Sequence, residues 1–285
     1  MRGTILRIGR ITYANLFPIF YYLEKECDLS EYKFINGVPS ALNKMLRDGE
    51  LDISPSSSIE YLKNKKKYFI LPWFSISSLG PIKSILLFSK IPIEELGGKT
   101  IAVSSDSETS AALLKIILND FLSLKCRFKT FSSSNIKYVL THFPAALLIG
   151  DNAMKEAKTT VPLKSKNSSR RAGHEPLHIY DLGELWEKHT KLPFVFALWI
   201  VRKDILPHKI ELIKKLAADL LDAKKYTSKK FSSLAKLAPQ SKWLGEKDLV
   251  KFWKGISYDF TEKHMEGLKL FEKYVLTKKS GTKRK

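Results

Sequence analysis

Within its first 54 residues the chain alternates twice between strand-like and helix-like hydrophobic spacing, and few folds accept that pattern. Ile5 to Ile11 alternates apolar and basic residues, as a strand does. Leu16 to Lys25 is apolar-rich and follows a loop, and Lys33 to Asn36 reads as a short strand. Gly37, Val38, Pro39 and Ser40 then lead into ALNKMLRDGE. Ser40 stands where an N-cap belongs, and Leu42, Met45 and Leu46 have helical spacing. Gly49 ends that helix and Leu51 to Ser54 returns as a strand. A βαβα rhythm of this kind calls for a parallel sheet with helices on its faces.

The pattern resumes further on. SPSSS (54–58) reads as a turn feeding a helix at IEYLKNK, followed by a strand from Tyr68 to Leu71 and an apolar extended segment from Ile82 to Phe88. KTIAVSS (99–105) is a strand and 106–122 a strong amphipathic helix. Arg127 to Phe131 and Ala145 to Ile149 are strands, the second ending in Gly150 and Asp151. The polar stretch from Lys158 to Gly173 reads as an exposed, mobile insertion. Tyr180 to Gly183 leads into a short helix, ELWEKHT, and LPFVFALWIVRKD (192–204) is a long apolar strand. Helices are expected at 207–225, 228–237, 246–255 and 262–275, and no internal repeat or heptad is visible. Two extended stretches, near 84–91 and 192–201, are the expected crossings between two α/β lobes. The first lobe would hold residues 1–86 and 200–285, the second 87–199, and 276–285 would be a basic disordered tail. Two lobes joined by two strands make a hinged cleft, the usual place for a ligand.

Composition narrows the classes. A chain of 285 residues buries enough surface to fold without a disulfide or a metal. Cys27 and Cys126 are isolated, match no metal-ligand spacing, and fit a reducing compartment. Arg7 and Arg10 interrupt any apolar run near the start, and the longest apolar stretch, Phe194 to Val201, is too short to cross a bilayer. The expectation is a cytoplasmic protein without membrane insertion. The net charge is +20, and five of the positive charges lie in the last eight residues. Basic runs such as KNKKK (63–67) and KKYTSKK (224–230) lack the interleaved aromatics of a single-strand-binding surface, so no nucleic acid partner is expected.

Several motifs fail on inspection. HEPLH (174–178) matches the zincin pattern, but Pro176 breaks the helix that would align its histidines. GGKT (97–100) resembles the end of a P-loop, but the required first glycine falls on Ile93. His142, His189, His208 and His264 have no motif partner. No metal ligand set and no cofactor are expected. What remains is a set of small polar residues at strand-to-helix turns: Asn15, Ser40, Ser56, Ser57, Ser58, Ser84, Thr109 and Ser110. Such turns offer free backbone N–H groups to carboxylates, so the expected ligand is a small di- or tri-anion.

Taken in order, RIGRITYANLFPIFYYLE, VPSALNKMLRDGELDISPSSSIEY, SISSLGPIKSILLFSK, ETSAALLKIIL, LLIGD and YDLGELWEKHTKLPFVFALWIVRKD resemble the chorismate dehydratases of the futalosine route to menaquinone. The resemblance runs from about residue 7 to residue 204 and weakens in the helical tail. It implies an α/β, two-lobed type II periplasmic binding protein fold with two crossover strands and a helical C-terminal segment. It also implies loss of water from chorismate to give 3-[(1-carboxyvinyl)oxy]benzoate, without a cofactor. Under this reading Asn15 orients the ring substituents and Ser84 contacts the reacting region or leaving hydroxyl. Ser56, Ser57 and Ser58 hold one carboxylate at a helix start, Thr109 and Ser110 hold the other, and Ser40 is a further substrate-binding residue. Asp151 is the side-chain candidate for the base, and the substrate's own enolpyruvyl carboxylate is the alternative. Two relatives in fold remain open: a non-catalytic anionic-solute-binding protein and 1,4-dihydroxy-6-naphthoate synthase. A basic surface-binding protein for nucleic acid is a third, opposed by the lack of any recognition motif. The oligomeric state is not legible.

Overall fold

The computed structural model describes residues 5–105, 108–132, 135–160 and 177–280. Most of the 158–173 insertion, His174 to Pro176 of the HEPLH segment and the last five residues of the tail lie outside the described residues. In chain order the elements are β1 (Leu6–Ile11), α1 (Phe17–Glu26), β2 (Tyr32–Gly37), α2 (Pro39–Arg47), β3 (Ile53–Ser57), α3 (Ser58–Lys63), β4 (Tyr68–Ser78) and β5 (Ile85–Ser89). There follow β6 (Thr100–Ser104), α4 (Glu108–Ile116), β7 (Arg127–Phe131), α5 (Ile136–His142), β8 (Ala145–Ile149), α6 (Gly150–Thr159), β9 (His178–Asp181), α7 (Leu182–Thr190) and β10 (Phe194–Arg202). The chain ends in α8 (Leu206–Leu237), α9 (Ser241–Leu244), α10 (Glu246–Lys254) and α11 (Glu262–Ser280).

The chain divides into two units. The first comprises Met1–Ser77 and Val195–Met265, the second Ser78–Phe194 and Glu266–Lys285. The boundaries expected at 86/87 and 199/200 fall inside β5 and β10, and all but the first turn of α11 belongs to the second unit. There Phe271 packs edge-on against Trp186 and Phe194, and Tyr274 against Phe121. The helix also runs to Ser280, past the expected start of a disordered tail at 276.

In the first unit a five-stranded sheet has the order β2-β1-β3-β10-β4. β1 runs parallel to β2 and β3, whereas β10 is antiparallel to β3. The serine-rich turn expected at 54–58 is instead mostly strand, and β3 ends only at Ser57. Serine and proline signal a turn locally, but here Ser54 and Pro55 pair with Ile200 and Trp199 in the sheet interior. Tertiary pairing overrides the local preference. The two helices expected at 207–225 and 228–237 are one, because Thr227 is buried within α8 and its hydroxyl bonds back to the Lys224 carbonyl.

In the second unit the sheet order is β7-β6-β8-β5-β9. β6 is parallel to β7 and β8, and β5 is antiparallel to both β8 and β9. Leu86, Phe88, Ala102, Leu148, Val139 and Ala153 form one buried cluster between this sheet and helices α5 and α6. Both units therefore follow the same plan: three parallel strands joined through helices, then two strands from elsewhere in the chain. Among the described residues no helix is long and apolar enough to cross a membrane.

Candidate active site

In a sheet of this plan the chain leaves the first strand to one side and returns on the other, so the turns at the carboxyl ends of those strands part and leave a crevice. In the first unit that switch point lies between β1 and β3. Asn15 follows β1, and Ser56 and Ser57 end β3. In the second unit it lies between β6 and β8. Thr109 and Ser110 open α4 after β6, and Asp151 follows β8. Ser84 joins the second group because β5 is antiparallel to β8, which brings its start beside the end of β8. The Gly150 N–H donates to the Ser84 carbonyl at 2.7 Å. Gly150 has φ +61°, a left-handed conformation that turns the chain sharply from strand into helix α6 and is least costly for glycine.

Asn15 is held through its backbone. The Trp253 indole N–H donates to the Ala14 carbonyl at 2.8 Å, and the buried Tyr258 hydroxyl donates to the Asn15 carbonyl. Burial pushes the Tyr258 phenol well above its ordinary range, so it remains a donor. Trp253 also stacks on Phe17 at 6.1 Å. These anchors come from the C-terminal helical region, where nothing in the sequence links them to residue 15. With its backbone fixed, Asn15 leaves its side-chain Oδ1 buried without a hydrogen-bond partner among the described residues. The Ser56 hydroxyl and Asn43 Oδ1 are in the same state. Buried acceptors without donors are uncommon in folded proteins and are usually met by water or a ligand.

The serines at β3 have separate roles. Ser57 occupies the N-cap position of α3, and its hydroxyl accepts from the Asn43 side-chain amide at 3.1 Å. The buried Ser58 hydroxyl donates to the Val195 carbonyl at 2.5 Å, which ties α3 to β10. Ser40 is exposed and is not the cap of α2. Val38 takes that position, with Pro39 as the first helical residue, where its missing N–H costs nothing. Thr109 and Ser110 are each only 1% exposed in the first turn of α4. Asp151 is half-buried in the first turn of α6, where free N–H groups and the helix dipole attract an anion.

The residue that positions Ser84 was not singled out from the sequence. Asp181, 8% exposed, ends β9 and accepts four backbone N–H bonds. Those from Gly183 (2.8 Å) and Glu184 (3.3 Å) cap α7, and those from Ile82 (3.1 Å) and Lys83 (2.5 Å) clamp the loop before Ser84. Lys83 is left-handed, with φ +62°, in the clamped loop. Burial holds the Asp181 carboxyl above the usual carboxylate range, and the four donors pull the other way. Asp181 followed three residues later by Glu184 is a helix-start signal legible in the sequence, but its second role, on residues 82 and 83, is not. Among the described residues no three His, Cys, Asp or Glu side chains gather as a metal-ligating group.

Comparison with known proteins shows the family and the fold. The family model for menaquinone biosynthesis matches residues 6–276. A chorismate dehydratase from Thermus thermophilus is 32% identical over 210 residues, covering 73% of each chain. One from Campylobacter jejuni is 29% identical over 193 residues, covering 66% of this chain and 64% of that one. Among solved structures, an Archaeoglobus fulgidus protein superposes with a TM-score of 0.77 at 19% identity, covering 98% of this chain and 99% of the other. The periplasmic aliphatic sulphonate binding protein of Escherichia coli does so with a TM-score of 0.65 at 12% identity, covering 97% and 88%. The fold is that of periplasmic binding proteins, and the chain belongs to the menaquinone-biosynthesis family.

Proposed function

We propose that this protein is a chorismate dehydratase, a hydro-lyase of the cytoplasm that converts chorismate to 3-[(1-carboxyvinyl)oxy]benzoate. The observation that carries the reading is the match of nearly the whole chain to the family, together with the dehydratase identity of the curated relatives. The chemistry suits a site of small polar groups. Chorismate has a ring hydrogen on the carbon bearing the enol ether and a hydroxyl on the neighbouring carbon. Removing that proton sends its electron pair into the ring as the C–O bond breaks and hydroxide leaves, taking up a proton as water. The product ring is aromatic, which supplies a large driving force. Charge that develops on the ring carboxylate during proton removal is stabilised by hydrogen-bond donors fixed in advance.

In this reading the Asn15 side chain orients the ring substituents, and Ser84 bonds to the leaving hydroxyl. Ser56 and Ser57 serve one substrate carboxylate, while the first turn of α4 serves the other. The base is Asp151 or the substrate's own enolpyruvyl carboxylate, which needs no protein base at all. The orphaned Asn15 Oδ1 and Ser56 hydroxyl support the assignment, since each lacks the partner that a substrate would bring.

The test is incubation of the purified protein with chorismate, followed by chromatography and mass spectrometry. Formation of an aromatic enol ether lighter by one water, above the uncatalysed background, is the expected result. Asn15→Ala and Ser84→Ala are each expected to lower turnover about tenfold or more with folding intact. A folded protein that binds chorismate without converting it would instead be a solute-binding member of the fold. Wild-type rates in both variants would remove Asn15 and Ser84 from the chemistry.

A further inference from the structure

The large positive charge is unused by the catalytic reading, and one part of it is gathered into a cavity. In the first unit a cavity of about 350 Å³ is lined by Arg47, Lys66, Lys67, Arg202 and Lys203, with Asp204 as the one carboxylate among its lining residues. That volume lies in the range of small-molecule pockets. Its place in the fold separates it from the residues assigned to chemistry. Val201 pairs with Ile53, so Arg202 leaves β10 beside the amino end of β3, and the Lys203 N–H donates to the Lys67 carbonyl just before β4. Asn15, Ser56 and Ser57 lie at the opposite, carboxyl end of the same sheet.

Arg202 is more buried than Arg47, and the three lysines are exposed. The Arg202 side chain is 20% exposed, and it grips the Asp204 carboxylate with two nitrogens, Nε at 3.0 Å and Nη2. Gly49, at φ +84°, makes room for it: a Cβ there would fall 2.6 Å from Nη1. The partner is different in kind, because Asp204 is 61% exposed. An ion pair with so wet a partner contributes little, and a second anion presenting the same two-oxygen edge can replace it. Arg47 is anchored on the buried Glu60, which also accepts from the Tyr68 hydroxyl and the Asn64 amide, both at 3.0 Å. Lys66 and Lys67 are exposed and make no ion pair among the described residues.

We propose that this cavity is a second, non-catalytic anion site that takes a ligand of the phosphate-ester class, with Arg202 as its directional contact and Lys66, Lys67 and Lys203 as its charge. A phosphate edge matches the guanidinium fork of Arg202, displaces Asp204 towards water, and leaves its remaining oxygens to the lysines. Free phosphate esters and lipid headgroups share this chemistry, and the two are separated by the test below.

The experiment is isothermal titration of the full chain with inorganic pyrophosphate at low and at physiological salt. It is repeated on Lys67→Gln/Arg202→Gln and on a control of equal charge, Lys229→Gln/Lys230→Gln in α8. The expected result is one equivalent bound, weakened at least about tenfold in the pocket variant and unchanged in the control. Lys67→Glu, which removes no buried contact, is expected to weaken binding as well and guards against a folding defect at Arg202. Absence of binding at millimolar pyrophosphate, several weak equivalents, or equal loss in pocket variant and control would overturn the proposal. So would capture by phosphatidylglycerol vesicles without affinity for pyrophosphate. Chorismate turnover is measured on the same variants and is expected at the wild-type rate. The binding result therefore stands or falls separately from the dehydratase reading.

Discussion

At the scale of single residues, position depends on partners that are remote in sequence. Asn15 is fixed by hydroxyl and indole donors more than 230 positions away, and Ser84 by a carboxylate 97 positions on, through the backbone of its two predecessors. Asp181→Asn tests the second case under the dehydratase reading. An amide oxygen accepts in only one of the two places the carboxylate serves, so the N–H groups of Ile82 and Lys83 are not both retained and the left-handed turn at Lys83 loosens. The expected outcome is a fall in kcat of about tenfold with a smaller change in KM, because the leaving-group contact is misplaced and the carboxylate contacts are not. A proportional loss of folded protein with unchanged kcat would make Asp181 a cap of α7 and nothing more. The residue types at the turns were legible as polar and anion-seeking. Which hydroxyls are committed, as Ser58 is to Val195, was not, because a hydroxyl's partner is chosen by packing.

At the scale of elements, boundaries followed local chemistry where local chemistry was strong. β7 and β8 span the expected residues, since each is a short run framed by loops. β3 departed from expectation because its serines are held by neighbours on both sides, and α8 because burial of Thr227 outweighs its modest helix propensity. The start of α11 holds a pH-sensitive variant of a capping arrangement. His264 accepts the Thr261 N–H at 3.2 Å, while the Thr261 carbonyl accepts from Met265. Desolvation lowers the His264 pKa; Asp259 opposes this and Lys224 adds to it. A histidine whose folded pKa lies below its unfolded one adds stability above about pH 6.5, and loses it as pH falls through the folded value. Urea midpoints are expected to drop as pH falls from about 7.5 through the lowered folded value. His264→Gln, which keeps an acceptor without titrating, is expected to flatten that change. Equal shifts in both proteins would place the sensitivity elsewhere.

At the scale of the whole molecule, a buried charge cluster joins β1, the residue before β3 and the start of α8. Asp52, 0% exposed, accepts from the Arg7 N–H at 2.8 Å and guanidinium at 2.7 Å, and from Lys209 at 2.7 Å. Burial alone would raise its pKa, but the Arg7 and Lys209 bonds together outweigh that and hold it below the usual range. The resulting stability is present above about pH 4 and is lost as pH falls through the lowered folded value. Asp52→Asn is expected to cost about 2–3 kcal/mol, towards the low side for a broken buried pair because Arg7 can turn to water. It is also expected to remove part of the acid sensitivity of the melting temperature. A neutral effect on both would show that the cluster orients the strands without stabilising them.

The sequence by itself determined the alternation of strand and helix, the two sets of parallel strands, the polar character of the turns and the family. Hydrophobic period and turn chemistry are local properties, written in residues a few positions apart. Tertiary structure alone decided that both units share one sheet plan, for no repeat is visible in the residues that build them. It also decided that α11 packs mostly with the second unit, that Trp253 and Tyr258 hold the backbone at Asn15 and Asp181 the loop before Ser84, and that five cations meet at the far end of the first sheet. Each of these depends on which distant segments pack together, and burial selects that pairing by the fit of whole surfaces rather than by any short run of sequence.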